Sequence, residues 1–110
     1  MNQNKSASEK QEKRIAKRFS GSRPPNSGGG RFIKGDILLP NLFIEAKTNA
    51  TNKKSITVKR DWIDKAKEQA FSMGKDYFAI AINFNPDGDT HYIVSEEMMK
   101  LLIEKLETEA

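Results

Sequence analysis

The chain has 110 residues, of which 36% are hydrophobic, and this predicts a single small domain with a compact core and a solvated tail. It has no cysteine, no apolar run of membrane-spanning length and no apolar stretch behind its N-terminus, so we expect a cytoplasmic protein without disulfides, thiolate metal sites or a membrane partner. Residues 1–60 carry 14 Lys/Arg and 4 Asp/Glu, a net charge of +10, whereas residues 61–110 carry 5 and 11, a net charge of −6. The basic half suits a polyanion such as nucleic acid, unless it only keeps the protein soluble.

The first predicted element is a helix that begins at Ser8, after a disordered basic tail at residues 1–7, so that residues 8–110 form the single domain. Glu12 shares one face of this helix with apolar residues at helical spacing, and the other faces are rich in Lys and Arg. The helix is expected to end near Gly21, because the following "GSRPPNSGGG" has the composition of a long loop. Ordered loops of this kind often carry function.

Two strands, "FIKGDILL" and "LFIEAKT", follow with a tight turn at "PN", and the pattern is compatible with a short extra strand at residues 31–33. A helix is predicted at residues 60–74, with Asp61 as its N-cap and Gly74 at its end. "DYFAIAINF" is apolar on both faces and predicts a central strand, "THYIV" predicts another, and Ser95 caps a closing helix. This order predicts an α/β or α+β fold with a small mixed β-sheet flanked by helices.

The hairpin stretch "KGDILLPNLFIEAKT" contains charged residues where a buried strand should be apolar. Side chains alternate along a strand, so Glu45 and Lys47 share a face, and Asp36 on the neighbouring strand is close enough in register to reach the same side. Two adjacent carboxylates repel each other unless one is protonated or a cation lies between them, and Mg²⁺ or Mn²⁺ takes such oxygen ligands. Lys47 could then hold an attacking water or offset charge on a phosphate. The alternative is a hairpin whose charged face is simply solvated.

"KGDI…LFIEAKT" resembles the core motif of the PD-(D/E)xK nuclease superfamily, in which an Asp on one strand and Glu-x-Lys on the next flank a metal site. The resemblance covers residues 9–84 and includes the order of the elements, although Gly35 stands where the family often has proline. Archaeal-type and phage Holliday junction resolvases carry a glutamate on the first helix, matched by Glu12, and a Ser/Gly-rich stretch before the Asp, matched by "NSGGG" with Ser27. Several branches carry a Gln on the helix after the motif, matched by Gln69.

The resemblance implies a restriction-endonuclease-like core and a metal-dependent DNA endonuclease, most similar to a Holliday junction resolvase from a phage or prokaryote that acts as a homodimer on branched DNA. Glu12, Asp36 and Glu45 would hold Mg²⁺, for which Mn²⁺ could substitute. Lys47 would assist the nucleophilic water. Gln69 lies near the inward face of its helix, where it is either a satisfied core amide or a group that orients the water or Lys47. The side chains expected to contact DNA are Arg14, Lys17, Arg18, Arg23, Ser27, Arg31, Lys34, Lys53 and Lys54.

Two other functions are compatible with the sequence. One is a nuclease of the same superfamily that acts on duplex, flap or single-stranded DNA. The other is a basic nucleic-acid-binding module without catalysis, whose acids are surface charges. Among the remaining features, we interpret His91 as structural, "PDGD" as a turn rather than a calcium loop, and the apolar "MMKLL" of the last helix as core packing or a dimer seam.

Overall fold

The computed structural model describes residues 3–22, 36–49 and 51–108, with side chains from residue 9 onward except that of Asp36. The elements follow the predicted order of helix, two strands, helix, two strands and helix, which confirms a small mixed α+β fold. They are α1 (Gln3–Phe19), β1 (Asp36–Leu38), β2 (Leu42–Lys47), α2 (Arg60–Ser72), β3 (Tyr77–Asn83), β4 (Thr90–Val94) and α3 (Glu96–Thr108).

The four strands form one mixed sheet in the order β1-β2-β3-β4. β1 and β2 form the predicted antiparallel hairpin, β2 and β3 run parallel because α2 connects them, and β3 and β4 are antiparallel. β3 therefore lies between two strands, as its two-faced apolar sequence predicts, and Ile80 and Ala81 at its centre are fully buried. Ser22 adds an isolated antiparallel bridge to Leu38 of β1. The extra strand predicted at residues 31–33 lies outside the described residues.

α1 and α2 cover opposite faces of the sheet. Ile15 of α1 packs with the apolar side chains that point to one face, among them Ile44 of β2. Ala66 and Ala70 of α2 pack on the other face, where Phe43 of β2 is fully buried. Since Glu45 and Lys47 alternate in phase with Phe43, strand geometry assigns both to the face covered by α2.

The ends of the helices agree with the sequence in most respects. α1 ends as predicted, with Ser20 in the left-handed region (φ 57°) and the Gly21 amide bonded to the Ala16 carbonyl at 2.8 Å. It begins at Gln3 rather than Ser8, because the polar residues ahead of Ser8 include no Gly or Pro that would stop a helix.

The start of α2 differs from the prediction. Its N-cap is Lys59 in extended conformation, with no capping side chain, so Asp61 lies in the first turn of the helix and is not its cap. Gly74, at φ 72°, ends the helix region as expected. Ser95 caps α3, since its hydroxyl oxygen accepts a 3.1 Å hydrogen bond from the Met98 amide.

α3 does not contribute to the core. None of its residues is buried, and Leu106 is 70% exposed. The core-packing interpretation of "MMKLL" is therefore wrong, because the helix leaves the sheet after β4 instead of folding back over it. The turn interpretation of residues 86–89 is confirmed.

Candidate active site at the carboxyl ends of the parallel strands

The charged residues of the hairpin lie at one end of the sheet. β2 and β3 are parallel and in register from Leu42 and Tyr77 to Lys47 and Ile82, so both strands finish at the same edge. The carboxyl ends of parallel strands form the crevice in which ligands commonly bind in sheets of this type. α2 starts at this edge, since Trp62 in its first turn lies over Lys47, and then runs back across the sheet.

Glu45 and Lys47 form an ion pair on one face of β2, as strand alternation predicts. The distance between Lys47 Nζ and Glu45 Oε1 is 3.3 Å, and the two side chains are 32% and 16% exposed. The pair is thus shielded from water much more than a surface ion pair. Holding a half-buried carboxylate and an ammonium together needs both charges to be compensated, and each compensates the other here.

Asp36 is the direct partner of Glu45 across the hairpin. The antiparallel register places their Cα atoms opposite each other. The structure describes the backbone of Asp36 and not its side chain. The sequence expectation that Asp36 lies close in register to Glu45 is therefore confirmed at the level of the backbone.

Trp62, in the first turn of α2, brings an aromatic ring to Lys47. Lys47 Nζ lies 5.0 Å from the centre of the Trp62 ring, within the range of a cation–π interaction. The ring therefore helps to fix the ammonium group beside Glu45. Only the position of Trp62 in the first turn of a helix that follows the motif could have suggested this contact.

Gln69 is half-buried, as expected from its place near the inward face of α2. Its main-chain carbonyl accepts a 2.9 Å hydrogen bond from Ser72 Oγ, which also lies 3.5 Å from Gln69 Oε1. It follows Trp62 by about 10 Å along the helix axis. A role in orienting water or Lys47 remains a prediction.

Glu12 lies in α1, on the other side of the sheet. It is 2% exposed and belongs to α1, whereas Glu45 lies on the face covered by α2. The neighbouring Gln11 accepts a hydrogen bond from Thr48 Oγ1, and Thr48 directly follows Lys47, so this part of α1 lies at the same end of β2. Gln11 Nε2 is buried and finds no partner among the described residues.

A second pair of polar side chains, not anticipated from the sequence, locks the two strand ends together. Asn83, the last residue of β3, is fully buried, and its side-chain oxygen accepts a 3.1 Å hydrogen bond from the Asn49 amide. Asn49 Nδ2 donates in return to the Asn83 carbonyl at 2.7 Å. The segment after Lys47 is thereby held against β3.

The predicted DNA-contacting residues that the structure describes are all exposed. Arg14, Lys17 and Arg18 project from α1, and Lys53 and Lys54 lie in the loop between β2 and α2. Exposed cations of this kind can contact phosphates without sequence readout. Four further predicted contacts, Arg23, Ser27, Arg31 and Lys34, lie outside the described residues.

A cleft of about 650 Å³ separates α1 from β4. Arg14 donates a 3.4 Å hydrogen bond to Thr90 Oγ1 across it, and burial in this cleft raises the pKa of Tyr92, although the nearby arginines oppose the shift. Asp87, which lines the cleft, forms a 2.6 Å ion pair with Lys10, and this hydrogen-bonded ammonium holds the pKa of the Asp87 carboxyl below its usual value.

Glu45 is a half-buried carboxylate whose cross-strand partner is a second acid, and carboxylate oxygens are the ligands that hard cations take. Among the described side chains, which do not include that of Asp36, no group of three or more His, Asp or Glu residues is arranged to hold a metal ion. No helix in the described part of the chain is long and apolar enough to span a membrane. Comparisons of the chain with protein-family models, with curated proteins and with solved structures found no match.

Proposed function

We propose that this protein is a metal-dependent DNA endonuclease that hydrolyses phosphodiester bonds, with a four-way junction as its preferred substrate. The observation that carries the proposal is the half-buried Glu45–Lys47 pair at the carboxyl ends of two parallel strands. A solvated hairpin face would leave both side chains mobile, whereas here Trp62 fixes the ammonium and the sheet fixes the carboxylate. The register of Asp36 and the +10 charge of residues 1–60 support the same function.

The roles follow from the chemistry of these side chains. Glu45, Asp36 and, from the α1 side of the sheet, Glu12 would hold Mg²⁺, which would polarise the scissile phosphate and lower the pKa of a nearby water. Lys47 would hold the attacking water and offset negative charge on the phosphate. The water would release a proton to solvent as its oxygen bonds to phosphorus, one P–O ester bond would break, and the leaving oxygen would take up a proton from solvent.

The experiment that tests the proposal compares wild type with Glu45→Ala on four-way junction DNA, with and without Mg²⁺. Wild type should cut only with the metal, and Glu45→Ala should not cut. Glu68→Ala, which removes an exposed glutamate from α2, is the matched control and should cut like wild type. Intact DNA after incubation with wild type and Mg²⁺, together with binding that does not need the metal, would favour a non-catalytic nucleic-acid-binding module.

The preference for junctions is tested separately from the chemistry. Junction, flap, linear duplex and single-stranded substrates of the same sequence should be cleaved at different rates, with the junction fastest. Equal rates on all four would leave the nuclease proposal standing and replace the resolvase by a nuclease of broader substrate range.

We also propose a homodimer, and α3 supplies the observation that supports it. Met99, Leu102, Ile103 and Leu106 recur at the i, i+3, i+4, i+7 spacing of one helix face, and all four are at least 43% exposed. An isolated helix of 13 residues is marginal in water, so this apolar stripe needs a cover. A second α3 running antiparallel would cover it.

The dimer is tested by sedimentation velocity. Leu102→Glu puts a charge in the centre of the stripe and should give monomers. Leu101→Glu is the same substitution one residue earlier, outside the stripe, and should leave the dimer intact. A wild-type chain that sediments as a monomer at every concentration contradicts this assembly.

A further inference from the structure

His91 lies in the same transverse row of the sheet as Lys47. Lys47 pairs in register with Ile82 of β3, and Ile82 pairs with His91 of β4. Residues in register on neighbouring strands point to the same face, so His91 lies on the Lys47 face two strands away. With strands spaced 4.7–4.9 Å apart, the two Cα atoms are separated by about 10 Å.

His91 is part of an exposed aromatic pair at the edge of the described sheet. The rings of Phe84 and His91 meet edge to face, with centroids 6.2 Å apart and planes at 72°. Phe84 is 36% exposed and His91 is exposed as well. The pair therefore offers ring surface to solvent at the same end of the sheet as the Glu45–Lys47 pair.

A backbone hydrogen bond holds the loop that carries Lys53 and Lys54 next to this aromatic pair. The Lys53 amide donates a 2.7 Å hydrogen bond to the Phe84 carbonyl, which fixes the loop between β2 and α2 beside the rings. Lys53 and Lys54 are both exposed. Aromatic rings beside lysines are the combination that binds unpaired nucleotides, since the bases stack and the phosphates meet the ammonium groups.

We infer that Phe84 and His91 form a stacking platform for an unpaired base of a DNA strand, with Lys53 and Lys54 on its phosphates. The inference rests on the proposed function for the choice of DNA, and extends it with a subsite. The platform lies about 10 Å from Lys47, which corresponds to about three rises of 3.4 Å along a strand. A base that unstacks near the cut, as at a branch point, would reach it.

The test uses a single-stranded oligonucleotide and a four-way junction, each with 2-aminopurine, in buffer without Mg²⁺. Phe84→Ala should weaken binding of the single strand by about 5- to 150-fold and relieve the quenching of 2-aminopurine that stacking causes. Phe84→Trp should retain both, because it keeps the stacking surface. His91→Ala should show a smaller loss in the same direction. Phe71→Ala is the matched control, since Phe71 is 73% exposed on α2 and should not affect binding.

Each outcome separates the platform from the chemistry. The platform is overturned if Phe84→Ala and His91→Ala bind as tightly as Phe71→Ala, or if wild type binds neither probe. Phe84→Leu guards against misfolding, because it keeps an apolar side chain at this position and should lose stacking all the same. Cleavage is assayed in parallel with Mg²⁺. If binding depends on Phe84 but no DNA is cut, only the nuclease proposal is refuted. If DNA is cut but binding does not depend on Phe84, only the platform is refuted.

Discussion

Replacing Lys47 by Met removes the positive charge of the Glu45–Lys47 pair and keeps most of the side-chain stem over Trp62. At 3.3 Å, the attraction between Lys47 Nζ and Glu45 Oε1 is about 5 kcal/mol for an effective dielectric constant of 20. Desolvation of the two partly exposed groups offsets most of this, so we expect the free energy of unfolding to fall by about 1–2 kcal/mol. For a domain of this size the melting temperature should then fall by about 5–10 °C.

The same substitution lowers stability without Mg²⁺ but should increase the stabilisation that added Mg²⁺ gives. In wild type, an arriving cation competes with Lys47 for the Glu45 carboxylate, whereas in Lys47→Met the carboxylate is already without its ion-pair partner. Mg²⁺ should therefore raise the melting temperature of the variant more than that of wild type. Cleavage should fall by about 100- to 1,000-fold, because the ammonium group is lost from the reacting phosphate.

Lys65→Met is the control for both measurements. Lys65 forms an ion pair of similar length, 3.1 Å, with Asp61, but the two side chains are 70% and 63% exposed. Its loss should change stability by less than about 0.5 kcal/mol and leave the Mg²⁺ response and cleavage unchanged. The reasoning is refuted if Lys47→Met cleaves as fast as wild type, or if Mg²⁺ stabilises it no more than wild type.

Three further predictions follow from the described contacts and the proposed chemistry. Asp36→Asn should lose cleavage and bind DNA at least as tightly as wild type in fluorescence anisotropy, because it removes a negative charge from a phosphate-binding surface; weaker binding would make Asp36 structural. Asn49→Ala should lower the free energy of unfolding, measured in urea, by about 1–3 kcal/mol, since it leaves polar groups of the buried Asn83 unpaired. An unchanged urea midpoint would contradict a stabilising role of the Asn49–Asn83 hydrogen bonds. Lys10 holds the pKa of Asp87 below 3.8, so the stabilisation is present above that value and is lost as the pH falls through the lowered pKa of the folded state; NMR titration should show this, and an unchanged pKa in Lys10→Met would contradict it.

The parts of the site that depend on local periodicity could be predicted from the sequence. Strand side chains alternate with a period of two, so the shared face of Glu45 and Lys47 followed from their spacing alone. The turn at residues 40–41 fixed which strand would pair with β2, and this gave the neighbourhood of Asp36. No knowledge of the rest of the fold was needed for either result.

The contacts that depend on how elements pack could not be predicted in this way. The position of Trp62 over Lys47 follows from the return of α2 across the sheet, and the row from Lys47 to His91 follows from two separate strand registers. We therefore interpreted His91 as structural from the sequence, because no local pattern connects it to Lys47. The apolar face of α3 has the same pattern for a core helix and for an interface helix, so only the structure could show that it is exposed.

Burial of polar side chains distinguishes the carboxyl ends of β2 and β3 from the rest of the core. The buried polar residues among those described are Gln11, Glu12 and Asn83, and all three belong to segments that meet at this end. Burying a polar group costs stability unless it is hydrogen-bonded, so apolar side chains would suit a purely structural end of a small core better. Departures from the locally best choice are expected where function requires them. The same end carries the Glu45–Lys47 pair and the Phe84–His91 rings. Three features of the described residues therefore converge on the edge of the sheet where we propose the active site.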